Sequence, residues 1–191
     1  MKILFVTGNA GKVREAVAIL APLGIEVVQE KSDADEIQDK DAGAVSEHKA
    51  REAFARLRKP LIVEDTALHI AGLNGYPGAF VKHFVESIGR QGIVDCVKGK
   101  DPSAEGVCAI SYCDGKGKIR TFRGSVKGRI SCSVHEGGYD FGWDPIFIPD
   151  IPGGRKNEKT FAEMGMDEKN RISNRMRAFE KLAQWLKGNS K

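Results

Sequence analysis

The sequence predicts an α/β fold built on a mixed β-sheet with flanking helices. Three observations carry this. Short apolar segments alternate with helix-period segments through the first third of the chain. An Asp114-Gly115 dipeptide separates two longer β segments in the middle, and a strongly amphipathic helix lies near the C-terminal end. The 191 residues are expected to form a single domain, 1–191, because a chain of this length buries enough surface to fold without staples.

The elements follow in order. Residues 2–6 (KILFV) are a short apolar run ended by Thr7-Gly8-Asn9, the pattern of a buried strand entering a turn. Val13, Ala16, Val17 and Leu20 share one helical face, and Pro22-Leu23-Gly24 stops that helix. A second strand covers 25–29, and a polar, acidic loop spans 30–40. Ala50, Ala53, Phe54 and Leu57 repeat the helical spacing over 42–58 until Pro60 intervenes, and Leu61-Ile62-Val63 is a strand ending at Glu64-Asp65-Thr66. Residues 73–78 hold enough glycine and proline to be a loop, followed by a short helix marked by Val81, Phe84, Val85 and Ile88 and another over 93–97. Two β segments occupy 105–113 and 118–134, with Gly124 and Gly128 expected at bulges. A last strand covers 146–148, and Ile172, Met176, Phe179, Ala183 and Leu186 line the C-terminal helix.

Composition narrows the function. With 41% hydrophobic residues and a net charge of +4, the chain is not of the disordered class. The two signs of charge are interspersed, unlike the concentrated basic face of a nucleic-acid binder. No run approaches the ~20 apolar residues of a membrane span, and residues 1–6 are too short for a secretory core. The four cysteines form no CxxC pair and the four histidines have no zinc spacing, so reduced, mostly buried thiols in a cytoplasmic protein are expected.

Four places carry possible chemistry. Thr7, Gly8, Asn9, Ala10, Gly11 and Lys12 lie between a strand and a helix N-terminus, where backbone N–H groups, the helix dipole and a lysine favour phosphate; a plain strand-to-helix turn is the alternative. Glu36, Glu64 and Asp65 offer hard oxygen ligands from separate segments, suited to Mg²⁺; a solvated loop charge at Glu36 and a turn cap at Asp65 are the alternatives. Phe141, Gly142, Trp143 and Asp144 place two aromatics and an acid around a glycine, either to stack on a purine or, as spacing alone favours, to fill the core. Lys169, Asn174 and Arg175 read by periodicity as a solvated helix face.

In this order, the segments TGNAGK (7–12), EIQ (36–38), VEDTAL (63–68), LNGYPG (73–78), FRGSVKGRI (122–130), FGWDPIF (141–147), TFAEM (160–164) and EKNRISNR (168–175) resemble the inosine triphosphate pyrophosphatase, or Ham1-like, family over essentially the whole chain. The resemblance implies a homodimer of two-lobed subunits with the active site in a central cleft. It implies Mg²⁺-dependent hydrolysis of non-standard purine nucleoside triphosphates (ITP, dITP, XTP) to monophosphate and pyrophosphate, cleansing the nucleotide pool. Carried over by position, Thr7, Asn9, Lys12 and Lys49 would hold phosphates, with Gly8, Ala10 and Gly11 completing that turn. Glu36 and Asp65 would bind metal, Asp65 also serving as general base, and Thr66 would touch substrate. Phe141, Gly142, Trp143 and Asp144 would line the base, and Lys169, Asn174 and Arg175 would close its pocket. The family usually has Ser-His-Arg where this chain has Ser173-Asn174-Arg175, which bears on base selectivity more than on hydrolysis. Two other functions compete: a nucleotide pyrophosphatase preferring modified or pyrimidine bases, and a nucleotide-binding or weak RNA-binding module without turnover.

Overall fold

Local patterning produces the expected alternation of elements, and long-range pairing then reshapes several of them. The computed structural model describes residues 2–31, 37–137, 141–153 and 157–189. Among these, β1 (Lys2–Val6), α1 (Ala10–Leu20), β2 (Glu26–Glu30), α2 (Ala42–Leu57) and β3 (Leu61–Ile70) form the first half. The two-residue β4 (Pro77–Gly78), α3 (Val81–Val97), β5 (Ser103–Cys113), β6 (Ile119–Ile130), β7 (Phe147–Pro149), α4 (Met166–Ile172) and α5 (Asn174–Asn189) complete it. The strands make one open mixed sheet in the order β2-β1-β3-β5-β6-β7, with β4 on the edge of β3. β1 runs parallel to β2 and β3, and the pairs from β3 to β7 are antiparallel.

β3 determines where the cleft opens. Its side toward β5 is paired along its whole length, from Leu61↔Cys113 to Ile70↔Ala104. On the other side β1 pairs only with Leu61 and Ile62, and β4 pairs with Leu68 and His69. Among the described residues, no strand lies against 63–67 on that edge. The sheet therefore has a gap beside Glu64 and Asp65, bounded by the turn leaving β1.

The sheet is covered on both faces. α1 and α5 pack with Ile3, Phe5, Ile62 and Ile110, and Phe5 meets Phe179 edge-on at 6.2 Å. α2 covers the opposite face, where Ala50 and Ala53 meet Val6, Leu61 and Val63. Further along β3, a second large cluster joins Leu68 and Ile70 to α3 and to Trp143, Phe147 and Phe161.

Several expectations change. The strand expected at 61–66 extends to Ile70, because pairing with β5 continues past the point where β1 departs; Glu64 and Asp65 are mid-strand rather than at its end. Gly124 and Gly128 pair in regular register instead of forming bulges. Their missing side chains allow close approach, since a Cβ at Gly124 would lie 2.2 Å from the Asn174 carbonyl oxygen and one at Gly128 2.3 Å from that of Ile148. On α1 the buried positions are Gly11, Glu15, Ala16 and Leu20, whereas Val17 is 42% exposed. The buried stripe is turned from the expected one because an ionic partner recruits Glu15 inward. β6 ends at Ile130, short of 134. The two expected helices over 81–97 meet at Gly89, whose φ of 69° and ψ of 173° break the helical path. Cys108 and Cys113 are buried and Cys96 and Cys132 exposed, all with free thiols.

Candidate active site

The turn after β1 is organised by its own side chains. Asn9 caps α1, its Oδ1 accepting from the Gly11 and Lys12 N–H groups at 2.9 and 3.3 Å, and the Thr7 hydroxyl accepts from Asn9 N at 3.2 Å. This satisfies part of the donor set that helix starts leave open. It also aims Lys12 across the gap: its Nζ donates to the Glu64 carbonyl oxygen at 3.1 Å and lies 3.5 Å from that residue's carboxylate. The cleft above this turn has a volume of about 990 Å³. Thr7, Gly8, Asn9, Ala10, Gly11, Lys12, Lys49, Asp65, Thr66, Phe141, Gly142 and Trp143 all line it, as their predicted grouping required.

Neighbouring side chains on a strand point to opposite faces, and here that separates two carboxylates. Asp65 faces α2, where Lys49 Nζ contacts its Oδ1 at 3.0 Å. Glu64 faces α1 and α5 and is held by Arg175 through two parallel bonds of 2.9 Å, from Nε to Oε2 and from Nη2 to Oε1. The planar guanidinium matches a carboxylate in this way, which a lysine cannot do.

Behind Glu64 the ion pairs continue. Arg175 Nη1 donates to Glu15, and Lys169 Nζ donates to Glu15 at 2.9 Å and to Asp144 at 2.5 Å. All five residues are essentially buried. Burial works against the Glu15 carboxylate, but Arg175 and Lys169 prevail and hold its pKa at about 2. Burial likewise opposes ionisation of Glu64, and Arg175 and Lys12 overcome it to keep that pKa below the usual range. At Asp144 burial wins over Lys169, and the pKa rises to about 6. Charges this deep persist only with partners, so the cluster is tightly interdependent.

The break between α4 and α5 makes the cluster possible. Ser173 is extended (φ −66°, ψ 155°), and its hydroxyl accepts from Met176 N at 3.2 Å. On one continuous helix, Lys169 and Arg175, six positions apart, would point about 120° apart. The break lets both turn inward, in place of the single helix and solvated face expected from periodicity. Lys169, Asn174, Arg175 and Asp144 are consequently buried and do not line the cleft, with Lys169 and Arg175 beneath Phe141. That ring sits 5.5 Å from Lys169 Nζ and 5.3 Å from Arg175 Cζ, and a Cβ on Gly11 would meet it at 2.8 Å. Trp143 is a core side chain that touches the cleft: it packs edge-on against Phe147 at 5.0 Å and over Gly106.

Glu36 lies outside the described residues. Among the described residues no three His, Cys, Asp or Glu side chains group as a metal cage. Mg²⁺ needs only one or two carboxylates when phosphate oxygens and water supply the other positions, so Asp65 fits such an ion. Sequence patterns missed Glu15, whose signal was a carboxylate beside the buried Ala16. They also missed Arg14, Lys82, His83, Glu86 and Arg90, which line the cleft.

The pattern of the Ham1 family matches residues 3–185. This chain belongs to the Ham1 family. It is 40% identical to the dITP/XTP pyrophosphatase of Methanopyrus kandleri, over 99% of this chain and 98% of that protein. It is 43% identical to the inosine triphosphate pyrophosphatase of Fusarium vanettenii, over 97% and 96% respectively. Among solved structures, the HAM1 protein of Coxiella burnetii superposes with a TM-score of 0.82 at 26% identity, covering 98% of this chain and 99% of that one. The Ham1 relationship thus extends over both the half that holds the turn after β1 and the half that holds α5. No helix among the described residues is long and apolar enough to cross a membrane.

Proposed function

We propose that this Ham1-family chain hydrolyses ITP, dITP and XTP to the monophosphate and pyrophosphate with Mg²⁺, removing them from the nucleotide pool. The observation that carries this is the meeting, in one cleft, of Lys12, Lys49 and Asp65 with the Phe141 ring, behind which lie Lys169 and Arg175. The names of the relatives point the same way.

The chemistry follows from the placement. Lys12 and Lys49 hold the triphosphate, and phosphate oxygens compete with Asp65 for the Lys49 ammonium. A carboxylate released in this way accepts a proton from water as the water oxygen bonds to the α-phosphorus. The bond from that phosphorus to the bridging oxygen breaks, and the charge leaves on pyrophosphate beside the two lysines. Asp65 and Glu36 would hold Mg²⁺, which would supply further neutralisation of the phosphate oxygens.

Base choice rests on the buried donors. Lys169 and Arg175 suit the 6-oxygen of hypoxanthine and xanthine and mismatch the amino group of adenine, a kind of discrimination worth roughly 10⁴-fold in a dry site. Because Phe141 covers both cations, a purine reaches them only when the ring turns aside and stacks. Asn174 offers an amide donor at the position where the family resemblance implies histidine.

Pyrophosphate release across ITP, dITP, XTP, GTP, ATP and the pyrimidine triphosphates, with and without Mg²⁺, tests the proposal. The expected result is metal-dependent release from ITP, dITP and XTP at least 100-fold above ATP. Preference for a pyrimidine, or binding without release, overturns it.

A further inference from the structure

The cleft wall opposite the phosphate turn belongs to α3. From the second part of that helix, just beyond the break at Gly89, Arg90 reaches 52 residues along the chain to donate from Nε to the Gly142 carbonyl oxygen at 2.8 Å. Gly142 occupies the second position of a tight turn: the N–H of Asp144 bonds back to the Phe141 carbonyl at 2.9 Å. Gly142 has φ of 54°, and Trp143 has φ of −98° and ψ of 6°. A positive φ at that position is the reason for glycine. In such a turn the outer two residues are tied by their own hydrogen bond. The central peptide, whose oxygen is that of Gly142, is the unit that can flip between turn types, and Arg90 holds this group.

The two ends of the turn differ in their anchorage. Trp143 is fixed in the aromatic cluster with Phe147 and Phe161. Phe141 lies on Gly11, at the edge of the cleft. A flip of the Gly142 peptide would therefore be taken up on the Phe141 side. We infer that Arg90 is a positioning residue: by pinning the Gly142 carbonyl it fixes the backbone from which the Phe141 ring swings, and so sets affinity for the purine without touching it. This rests on the proposed nucleotide reading of the cleft.

The measurement is product inhibition, using inosine monophosphate and pyrophosphate as separate probes, together with KM and kcat for ITP. Arg90→Ala is expected to weaken inhibition by inosine monophosphate about tenfold and raise KM similarly. Pyrophosphate inhibition and kcat should stay within twofold. Arg90→Lys, which keeps a cationic donor, should recover most of the monophosphate affinity. Weaker pyrophosphate inhibition in Arg90→Ala would make Arg90 a phosphate ligand and overturn the inference. Unchanged inhibition by both products, or tighter monophosphate binding from a released ring, overturns it equally. Absence of pyrophosphate release by the wild type removes the nucleotide reading itself, a result separable from these because it appears before any variant is made.

Discussion

Glu64 and Asp65 are adjacent in β3, chemically alike and similarly enclosed, yet they sit in two different environments. Glu64 faces α5, bound through both oxygens to Arg175 inside a cluster that also includes Glu15, Lys169 and Asp144. Asp65 faces α2 and the cleft, with Lys49 at 3.0 Å. The alternation of the strand turns one carboxylate toward the α1 and α5 face and the other toward α2, and both border the cleft. In the proposed function, a metal or phosphate would compete for Asp65 and its lysine by exchanging ion pairs. Drawing Glu64 away would strand a buried guanidinium.

The contrast gives predictions of descending size. Asp65→Asn should lower kcat for ITP at least 10³-fold, about 4 kcal/mol at the transition state, while costing about 1 kcal/mol of stability. Steady-state kinetics with urea unfolding on the same sample checks both parts, and near-normal turnover would end the role given to Asp65. Glu64→Gln should do the reverse in emphasis, destabilising the fold by about 3 kcal/mol because Arg175 loses its bidentate partner. A variant as stable as wild type would show that the two environments are not distinct.

The third prediction concerns pH. The Asp144 pKa is raised by burial to about 6, so the folded chain holds that proton more strongly than the unfolded chain does. Its contribution is complete below the ordinary carboxylate pKa near 4 and is lost as pH rises through about 6. Wild type should therefore gain about 2 kcal/mol on Asp144→Asn as pH falls from 7 to 4, as measured by paired urea titrations. The low pKa of Glu15 has the opposite sign, with stability present above about pH 4.5 and lost toward 2. It is common to both proteins and drops out of the difference while the cluster stays paired.

Much of the fold was legible because it is written locally. The apolar run at 2–6, the helix over 42–57 and the Asp114-Gly115 turn each carry their own pattern. The extension of β3 was not, since pairing with β5 rather than the composition of 67–70 sustains it. The site divided similarly. Residues 7–12 are contiguous, and their position between a strand and a helix start made them a candidate anion site, with a plain turn as the alternative. Arg175 meets Glu64 across 111 residues and Glu15 across 160, so no spacing rule distinguishes it from a solvated charge. Family resemblance selected Arg175, but Glu15 and Arg90 emerged only once side chains were placed. The single glycines at 11 and 106 had the same invisibility: each leaves room for an aromatic ring arriving from more than thirty residues away.

That no strand among the described residues neighbours 63–67 has one further consequence. A strand there would pair that edge of β3 with main-chain partners, whereas Lys12 engages the Glu64 carbonyl through its side-chain Nζ. The opening along that edge is thus inherited from topology rather than from any one residue type. Exchange of the surrounding side chains can retune what lodges in that seam without closing it.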